Sequence, residues 1–196
     1  MGVKDARREH GLMLSVVIGT HNSERALLPT LSALVAGAVA GLVREVIVAD
    51  GGSRDATAAI ADGAGCRVLE STKSHGARLR QGAEAARALW LLFLCPGVVL
   101  EPSWVEESRR FMENAERRRH GYAAVFRADT FRAGVLEAMA LLGTALGISL
   151  GPGQGLVIAR TLYDAVGGHR VVEDPERDLL RRLGRRRLVR LRTAAV

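Results

Sequence analysis

Two apolar segments near the amino terminus, each followed by a polar loop and a helical pattern, limit what this chain can fold into. The first begins at Leu14 and ends in the loop that contains Thr20 and Asn22, and the second covers residues 45–49 and ends at Asp50. Apolar runs of this length are typical of strands that are buried in a parallel sheet. Because the carboxyl ends of such strands form the ligand crevice of α/β proteins, we expect both loops to line one site.

The alternation of strands and helices continues beyond this pair. The spacing of apolar residues predicts helices over residues 27–35, 56–64, 76–88 and 102–118, with Pro29 in the first turn of the earliest one. It predicts further strands over residues 66–70, 90–94, 121–127 and 156–158. Right-handed crossovers between parallel strands produce this order of elements. The sequence therefore predicts an α/β fold with a mostly parallel sheet and helices on both faces.

The length of 196 residues suits one domain. We expect a disordered or extended amino terminus over residues 1–11, a single domain over residues 12–183 and a basic C-terminal tail over residues 184–196. Residues 1–11 lack the apolar core of a secretion signal, and two cysteines are too few for a disulfide framework. These features predict a cytoplasmic protein.

Positive charge is concentrated at the carboxyl end. The formal net charge is +7, and seven arginines lie within the last sixteen residues. Such a field attracts phosphates, so the inner, anionic face of a membrane is a predicted partner of the basic tail, and a solvated, frayed tail is the alternative. Nucleic acid ranks lower, because no zinc-finger spacing, helix-turn-helix signature or RNA-binding aromatic motif accompanies the charge.

A second segment bears on membranes. Residues 133–150 are apolar apart from Glu137, but they contain three glycines. The glycines and the charge favour a buried or membrane-resting helix over a helix that spans the bilayer.

Six short motifs follow one another along residues 14–183. They lie at residues 15–24, 50–57, 76–83, 91–94, 153–156, and 166–168 followed by 173–174. In this order they resemble the motifs of the family 2 glycosyltransferases, enzymes of the GT-A fold that use nucleotide-activated sugars. More narrowly, the loop at residues 50–53 and the helix at residues 76–82 together resemble a small bacterial subgroup of that family.

This resemblance implies inverting transfer of a sugar from a uridine- or guanosine-diphosphate donor to an acceptor hydroxyl, and a lipid-linked acceptor would suit the basic tail. It implies that Arg78 faces the diphosphate-sugar and that Asp50 accepts a hydrogen bond from the base. The implied nucleotide pocket consists of Thr20, Asn22, Glu24, Asp50 and Gly51. From the residues alone, Arg78 is equally explained as a surface arginine, and Ser53 and Asp55 are better explained as helix caps.

The chain departs from the family after the strand at residues 90–94. There the family places an acidic motif that holds Mg²⁺ or Mn²⁺ on the diphosphate, whereas this chain reads Cys95-Pro96-Gly97, with Gly97 at the position of the metal-binding aspartate. No metal ligand is therefore assigned. Transfer without a metal would need other cations, and four precede that strand: Lys73, His75, Arg78 and Arg80. The alternative function is that of a catalytically impaired homologue that acts as a nucleotide-binding or regulatory protein.

Inverting transfer also needs a base that takes the proton of the acceptor hydroxyl. The resemblance implies an acid after the glycine pair at residues 167–168, which makes Asp174 the candidate. The spacing to the following helix is longer than expected, so Glu176 is the second candidate. Both acids also fit the first turn of a helix. Three other residues are interpreted as structural: His21, His169 and Cys95.

Overall fold

The computed structural model describes residues 12–118, 121–128 and 155–195. Within these ranges the strands are β1 (Leu14–Thr20), β2 (Val43–Asp50), β3 (Arg67–Glu70), β4 (Trp90–Leu94), β5 (Ala123–Ala128), β6 (Leu156–Ala159) and β7 (Leu188–Ala195). They form one sheet with the spatial order β3-β2-β1-β4-β6-β5-β7.

The helices of the same ranges are α1 (Glu24–Val39), α2 (Thr57–Gly63), α3 (His75–Ala85), α4 (Trp104–Arg117), α5 (Arg160–Ala165) and α6 (Pro175–Leu183), followed by a 3₁₀ turn at Arg185–Arg187. Local sequence explains the ends of α6. Asp174 caps its start, Pro175 takes the first helical position, and Gly184 ends it with a φ of 73°. This start matters because it fixes where the candidate acids lie.

The sheet is mostly parallel, as predicted. Strand β1 pairs in parallel with β2 and β4, and β2 pairs in parallel with β3. Strand β6 runs antiparallel between β4 and β5. Every residue of β1 and β4 is buried, so both faces of the sheet are covered at its centre. The register pairs Thr20 with Asp50, which puts the two predicted loops side by side.

Helix α1 is held to the core through Trp104. The indole is fully buried, and its Nε1 donates a hydrogen bond to the carbonyl oxygen of Ala33 at 3.2 Å. Gly37 lies under the same ring, because a Cβ at this position would come within 2.4 Å of the indole Cζ2 atom. Only a residue without a side chain allows this contact.

Gly37→Ala is therefore expected to lower the free energy of unfolding by about 1–3 kcal/mol, the usual cost of overpacking a well-packed core. Urea denaturation measures the change. Gly63→Ala is the matched control, because no heavy atom lies within 4 Å of a Cβ at this helical position. It should instead stabilise the protein by about 0.4–1 kcal/mol through the unfolded chain. Equal effects of the two changes would contradict the packing argument.

The structure differs from the sequence prediction at the carboxyl end. A basic tail is expected over residues 184–196, but residues 188–195 form β7, which pairs in parallel with β5. Leu191 and Thr193 are buried, whereas Arg190 and Arg192 are exposed, and this period of two defines a strand. The density of arginines obscured the alternation in the sequence. The outer domain boundaries stay a prediction.

Carboxylates bind the backbone of β7 on the side of α4. The N–H groups of Arg192 and Thr193 donate to Glu107 Oε2 at 2.8 and 3.0 Å, and that of Ala194 donates to Glu101 Oε2 at 3.0 Å. Burial raises the pKa of Glu107, but the hydrogen bonds from Thr193 and Arg192 outweigh burial and hold this pKa below its ordinary value. Glu101 and Glu107 thus act as hydrogen-bond acceptors for the backbone of β7.

Smaller differences concern helix positions. Pro29 lies beyond the first turn of α1, because that helix begins at Glu24 rather than near residue 27. Helix α3 ends at Ala85, before the predicted residue 88. The predictions for residues 1–11 and 133–150 lie outside the described residues. In the described part of the chain, no helix has the length and apolar content needed to cross a membrane.

Candidate functional site

Asp50 joins the carboxyl ends of β1 and β2. Its Oδ1 accepts hydrogen bonds from the hydroxyl groups of Thr20 at 2.7 Å and Ser53 at 2.6 Å. Its Oδ2 accepts from the backbone N–H groups of Gly52 at 2.9 Å and Ser53 at 2.7 Å. The residue is 1% exposed. Burial raises its pKa, but the four hydrogen bonds more than offset burial, so the pKa lies below the ordinary value.

The loop after β1 is bound to the loop after β2 by further hydrogen bonds. Asn22, with a φ of 49°, donates its N–H to Ser53 Oγ at 2.8 Å and accepts from the N–H of Arg54 at 2.8 Å. Glu24 Oε2 accepts from the N–H of Ala56 at 3.0 Å. The predicted pocket residues Thr20, Asn22, Glu24 and Asp50 therefore lie together. Their contact with a nucleotide stays a prediction, whereas their role in fixing the loops is visible.

The two proposed helix caps behave differently from each other. Asp55 Oδ1 accepts from the N–H of Thr57 at 3.0 Å and from its hydroxyl group at 2.5 Å, so it serves the start of α2 as predicted. The Ser53 hydroxyl donates to Asp50 instead and makes no cap. The prediction that Ser53 caps the helix is wrong, because Asp50, three positions earlier, offers its hydroxyl group a buried, charged acceptor.

Asp50→Asn is expected to lower the free energy of unfolding by about 1–3 kcal/mol, because the new amide NH₂ group faces donors that lose their acceptor. Since the folded-state pKa of Asp50 is lowered, its stabilising effect is present above the unfolded pKa of about 3.9 and is lost as the pH falls below it. Urea denaturation should show a gap between native protein and variant that narrows in acid. Asp62→Asn, an exposed change on α2, is the control and should leave stability unaltered.

The first turn of α3 lies directly over the glycines at these strand ends. A Cβ at Gly19 would come within 2.6 Å of the His75 ring, and one at Gly51 within 2.8 Å of the Arg78 guanidinium. Arg78 Nη1 donates to the carbonyl oxygen of Lys73 at 2.9 Å. Its buried Nε has no hydrogen-bond partner among the described residues. A cation with an unused donor therefore lies at the end of β2.

The four predicted cations do not lie together. His75 and Arg78 lie at the strand ends, whereas Arg80 donates to the carbonyl oxygen of Gly167 at 2.9 Å and lines a different pocket. Lys73 is exposed. The crevice therefore receives a histidine and one arginine from α3.

His75 connects the strand ends to the candidate acids. Its Nε2 lies 2.6 Å from Oε1 of Glu176, whose side chain is 18% exposed. Burial raises the pKa of Glu176, but the hydrogen bond and the charge of His75 outweigh burial and hold it below its ordinary value. Glu176 also lines a small cleft at the end of β4 with Cys95 and His169. From the sequence, His75 was interpreted only as a cation, and nothing indicated its pairing with Glu176.

Asp174 takes a structural position. Its Oδ1 accepts from the N–H of Arg177 at 2.9 Å, which is the hydrogen bond of a helix cap. Of the two candidate bases, Glu176 is thus the one whose carboxylate lies in the cleft beside His75.

His169 is buried in the wall of the same cleft. The Tyr163 hydroxyl lies 3.0 Å from both its backbone N–H and its Nδ1, and the Phe93 ring packs against the imidazole with centroids 4.6 Å apart. Burial lowers the pKa of His169 to about 4, so the ring is neutral at physiological pH. The structure agrees with the structural role predicted for this histidine.

The residues at the end of β4 do not fit a divalent metal. Gly97 has a φ of 95° and no side chain, and its N–H is bonded to Thr30 Oγ1 and to the carbonyl oxygen of Ala26, both at 2.9 Å. Burial, with a smaller effect of nearby Glu176 and Asp174, raises the pKa of Cys95 to about 11. A neutral thiol is a poor ligand for Mg²⁺ or Mn²⁺, which prefer oxygen. In the described ranges, no group of three histidine, cysteine or acidic residues is placed to hold a metal.

Solved structures share this fold. Glucosyl-3-phosphoglycerate synthase from Mycobacterium tuberculosis, in crystals with Mn²⁺ and UDP-glucose, is 21% identical with a TM-score of 0.70, and the match covers 100% of this chain and 75% of that one. TarS from S. aureus is 16% identical with a TM-score of 0.70, and the match covers 94% of this chain and 60% of that one.

The family is established by sequence. A search of curated proteins gave no match. The profile described as glycosyl transferase family 2 matches residues 15–137, more than half of the chain, including the loops joined by Asp50 and the strand that precedes Cys95. The chain therefore belongs to glycosyltransferase family 2.

Proposed function

We propose that the chain moves a sugar from a nucleoside diphosphate donor to an acceptor hydroxyl, with inversion and without a divalent metal. The position of α3 supports this most. Its first turn puts Arg78 over the end of β2 and His75 between the end of β1 and Glu176. The proposal thus has a cation for the diphosphate and a carboxylate for the acceptor proton near neighbouring strand ends, as a single displacement requires.

The donor would bind against the loops after β1 and β2. UDP-glucose is present in crystals of the mycobacterial synthase, so a uridine diphosphate sugar is the first donor to test. In our proposal, the two loops are held in one conformation by the hydrogen bonds of Thr20, Asn22, Glu24 and Asp50. This follows from their hydrogen bonds, because the oxygens of Asp50 already accept four from the protein.

Arg78 would bind the diphosphate. Its guanidinium lies over Gly51 with Nε unused, and arginine binds phosphate through paired N–H groups without a metal. When the bond between the anomeric carbon and the phosphate oxygen breaks, negative charge grows on the leaving diphosphate. A fixed cation there lowers the energy of the transition state.

Glu176 would act as the base. The acceptor oxygen attacks the anomeric carbon, its proton passes to the Glu176 carboxylate, and the electron pair of the broken bond leaves with the nucleoside diphosphate. The low pKa of Glu176 keeps the carboxylate ionised and able to accept that proton at neutral pH. A lipid-linked acceptor stays a prediction.

The alternative function is nucleotide binding without turnover. It is favoured by the lack of a carboxylate at Cys95-Pro96-Gly97, where the residues present do not fit a metal. A homologue of this kind would bind nucleoside diphosphates and leave donor sugars intact.

One assay separates the two functions. Purified protein is incubated with UDP- and GDP-sugars in excess chelator, and release of nucleoside diphosphate is followed beside calorimetry with the same nucleotides. We expect release to continue in chelator. A strict need for added Mn²⁺ would refute the metal-independent reaction, and tight binding with no release from any donor would favour the regulatory alternative.

A further inference from the structure

An exposed face along α6 combines valines with a row of arginines. Val171 and Val172, in the loop before α6, are 72% and 44% exposed. Val172 lines one groove together with Arg177 and Arg181, which lie four residues apart on one side of α6, and with Arg185 of the following 3₁₀ turn. We call this surface the α6 face, defined by residues 171, 172, 177, 181 and 185.

Among the described residues, three acids line the same groove: Glu173, Asp174 and Asp178. Asp174 is bonded to the N–H of Arg177, and Asp178 is bonded to Arg181 and to the half-buried Arg182. Among the described residues of this groove, Glu173 is the exposed acid. Further exposed arginines adjoin these residues in sequence: Arg170, Arg186 and Arg187. Together with the arginines of the α6 face they outnumber the three acids, so this part of the surface is positively charged as well as partly apolar.

We propose that the α6 face docks on the surface of a lipid bilayer that contains anionic lipids. Arginine side chains bind lipid phosphates, and exposed aliphatic side chains gain by entering the interfacial region. Nucleic acid would use the same arginines, but the two exposed valines would then stay in water.

This docking has a consequence for the acceptor. Helix α6 also carries Glu176, the proposed base, so a docked protein would hold its crevice beside the membrane. That consequence rests on the proposed function and points to an acceptor presented at the bilayer surface. The docking itself is measurable without donor or acceptor.

The test is sedimentation of the full chain with vesicles of phosphatidylcholine alone and of phosphatidylcholine mixed with phosphatidylglycerol. We expect binding to the mixed vesicles that weakens with salt. The variant Arg177→Gln/Arg181→Gln/Arg185→Gln should bind on the order of a hundredfold more weakly, since each basic residue near an anionic surface contributes about 1 kcal/mol. Val171→Ser/Val172→Ser should reduce binding about tenfold.

Two controls match these variants. Arg25→Gln/Arg44→Gln/Arg67→Gln removes the same charge from exposed positions on α1, β2 and β3, and Val39→Ser alters an apolar side chain that is 85% exposed on α1. Both should bind vesicles like the native protein. Three results would each overturn the proposal: no binding to mixed vesicles, equal binding to both vesicle types, or equal losses in the controls. Binding of duplex DNA that depends on the arginines, without vesicle binding, would identify nucleic acid as the partner instead.

Outcomes of the vesicle test and of the donor assay are independent. Docking without release of nucleoside diphosphate would retain the membrane surface and remove the transferase proposal. Release of nucleoside diphosphate without docking would retain the transferase proposal and remove the membrane surface.

Discussion

Glu176→Gln is expected to lower kcat for sugar transfer by about 100- to 10,000-fold, the range that a general base contributes. Glutamine keeps the shape and the contact with His75 but cannot take the acceptor proton. KM for the donor should change little, because the proposed donor contacts lie at the loops and at Arg78. Thermal unfolding of the variant should confirm that the fold is kept. Initial rates at saturating donor give the measurement.

Asp174→Ala is the matched control for the base. Loss of the cap should lower the free energy of unfolding by about 1 kcal/mol with little effect on kcat at temperatures where the protein stays folded. The opposite pattern, with an active Glu176→Gln protein and an inactive Asp174→Ala protein, would identify Asp174 as the base.

Because the pKa of Glu176 is lowered, the rate should stay constant to below about pH 4.3 and fall only in stronger acid.

Arg78→Ala is expected to lower kcat by about 100- to 1000-fold, the cost of removing one well-placed electrostatic group from the leaving-group side. The physical reason is that the diphosphate would lose the cation proposed to replace a metal. Arg78→Lys should recover only part of the rate, since lysine is a point charge and lacks the paired donors of arginine. Rates are measured in chelator, so that contaminating ions do not compensate.

Arg80→Gln is the control for Arg78, because Arg80 is two positions along α3 and binds the Gly167 carbonyl instead of facing the crevice. Its kcat should stay within a few-fold of the native value. Equal losses of kcat in Arg78→Ala and Arg80→Gln would contradict a specific role of Arg78. They would show that removing any positive charge from α3 lowers the rate. Rescue of Arg78→Ala by Mn²⁺ to the native rate would show that the crevice accepts a metal after all.

The sequence was informative wherever neighbouring parallel strands determine position. The pairing of Thr20 with Asp50 follows from two adjacent strands, so the meeting of their loops could be predicted. The binding partners of those side chains could not be predicted, because the sequence pattern does not show whether a carboxylate such as Asp50 accepts hydrogen bonds from the protein or from a ligand.

Contacts between distant parts of the chain were not predictable. His75 and Glu176 are 101 positions apart, and neither has a neighbour in sequence that indicates the other. Nothing in the sequence indicates that Asp174 caps a helix while Glu176 contacts His75. Strand β7 shows a different limit, since its alternation of buried and exposed residues was present in the sequence but outweighed by the clustering of arginines.

The carboxylates of Glu101 and Glu107 have a consequence for how the molecule behaves in concentrated solution. Within the described ranges, strand β7 lies at one edge of the sheet, and an unprotected edge strand can pair with another chain. Three backbone N–H groups of β7 are instead bonded to these two acids. The bonds leave an approaching strand fewer donors to pair with, so we expect these acids to disfavour aggregation through this edge of the sheet.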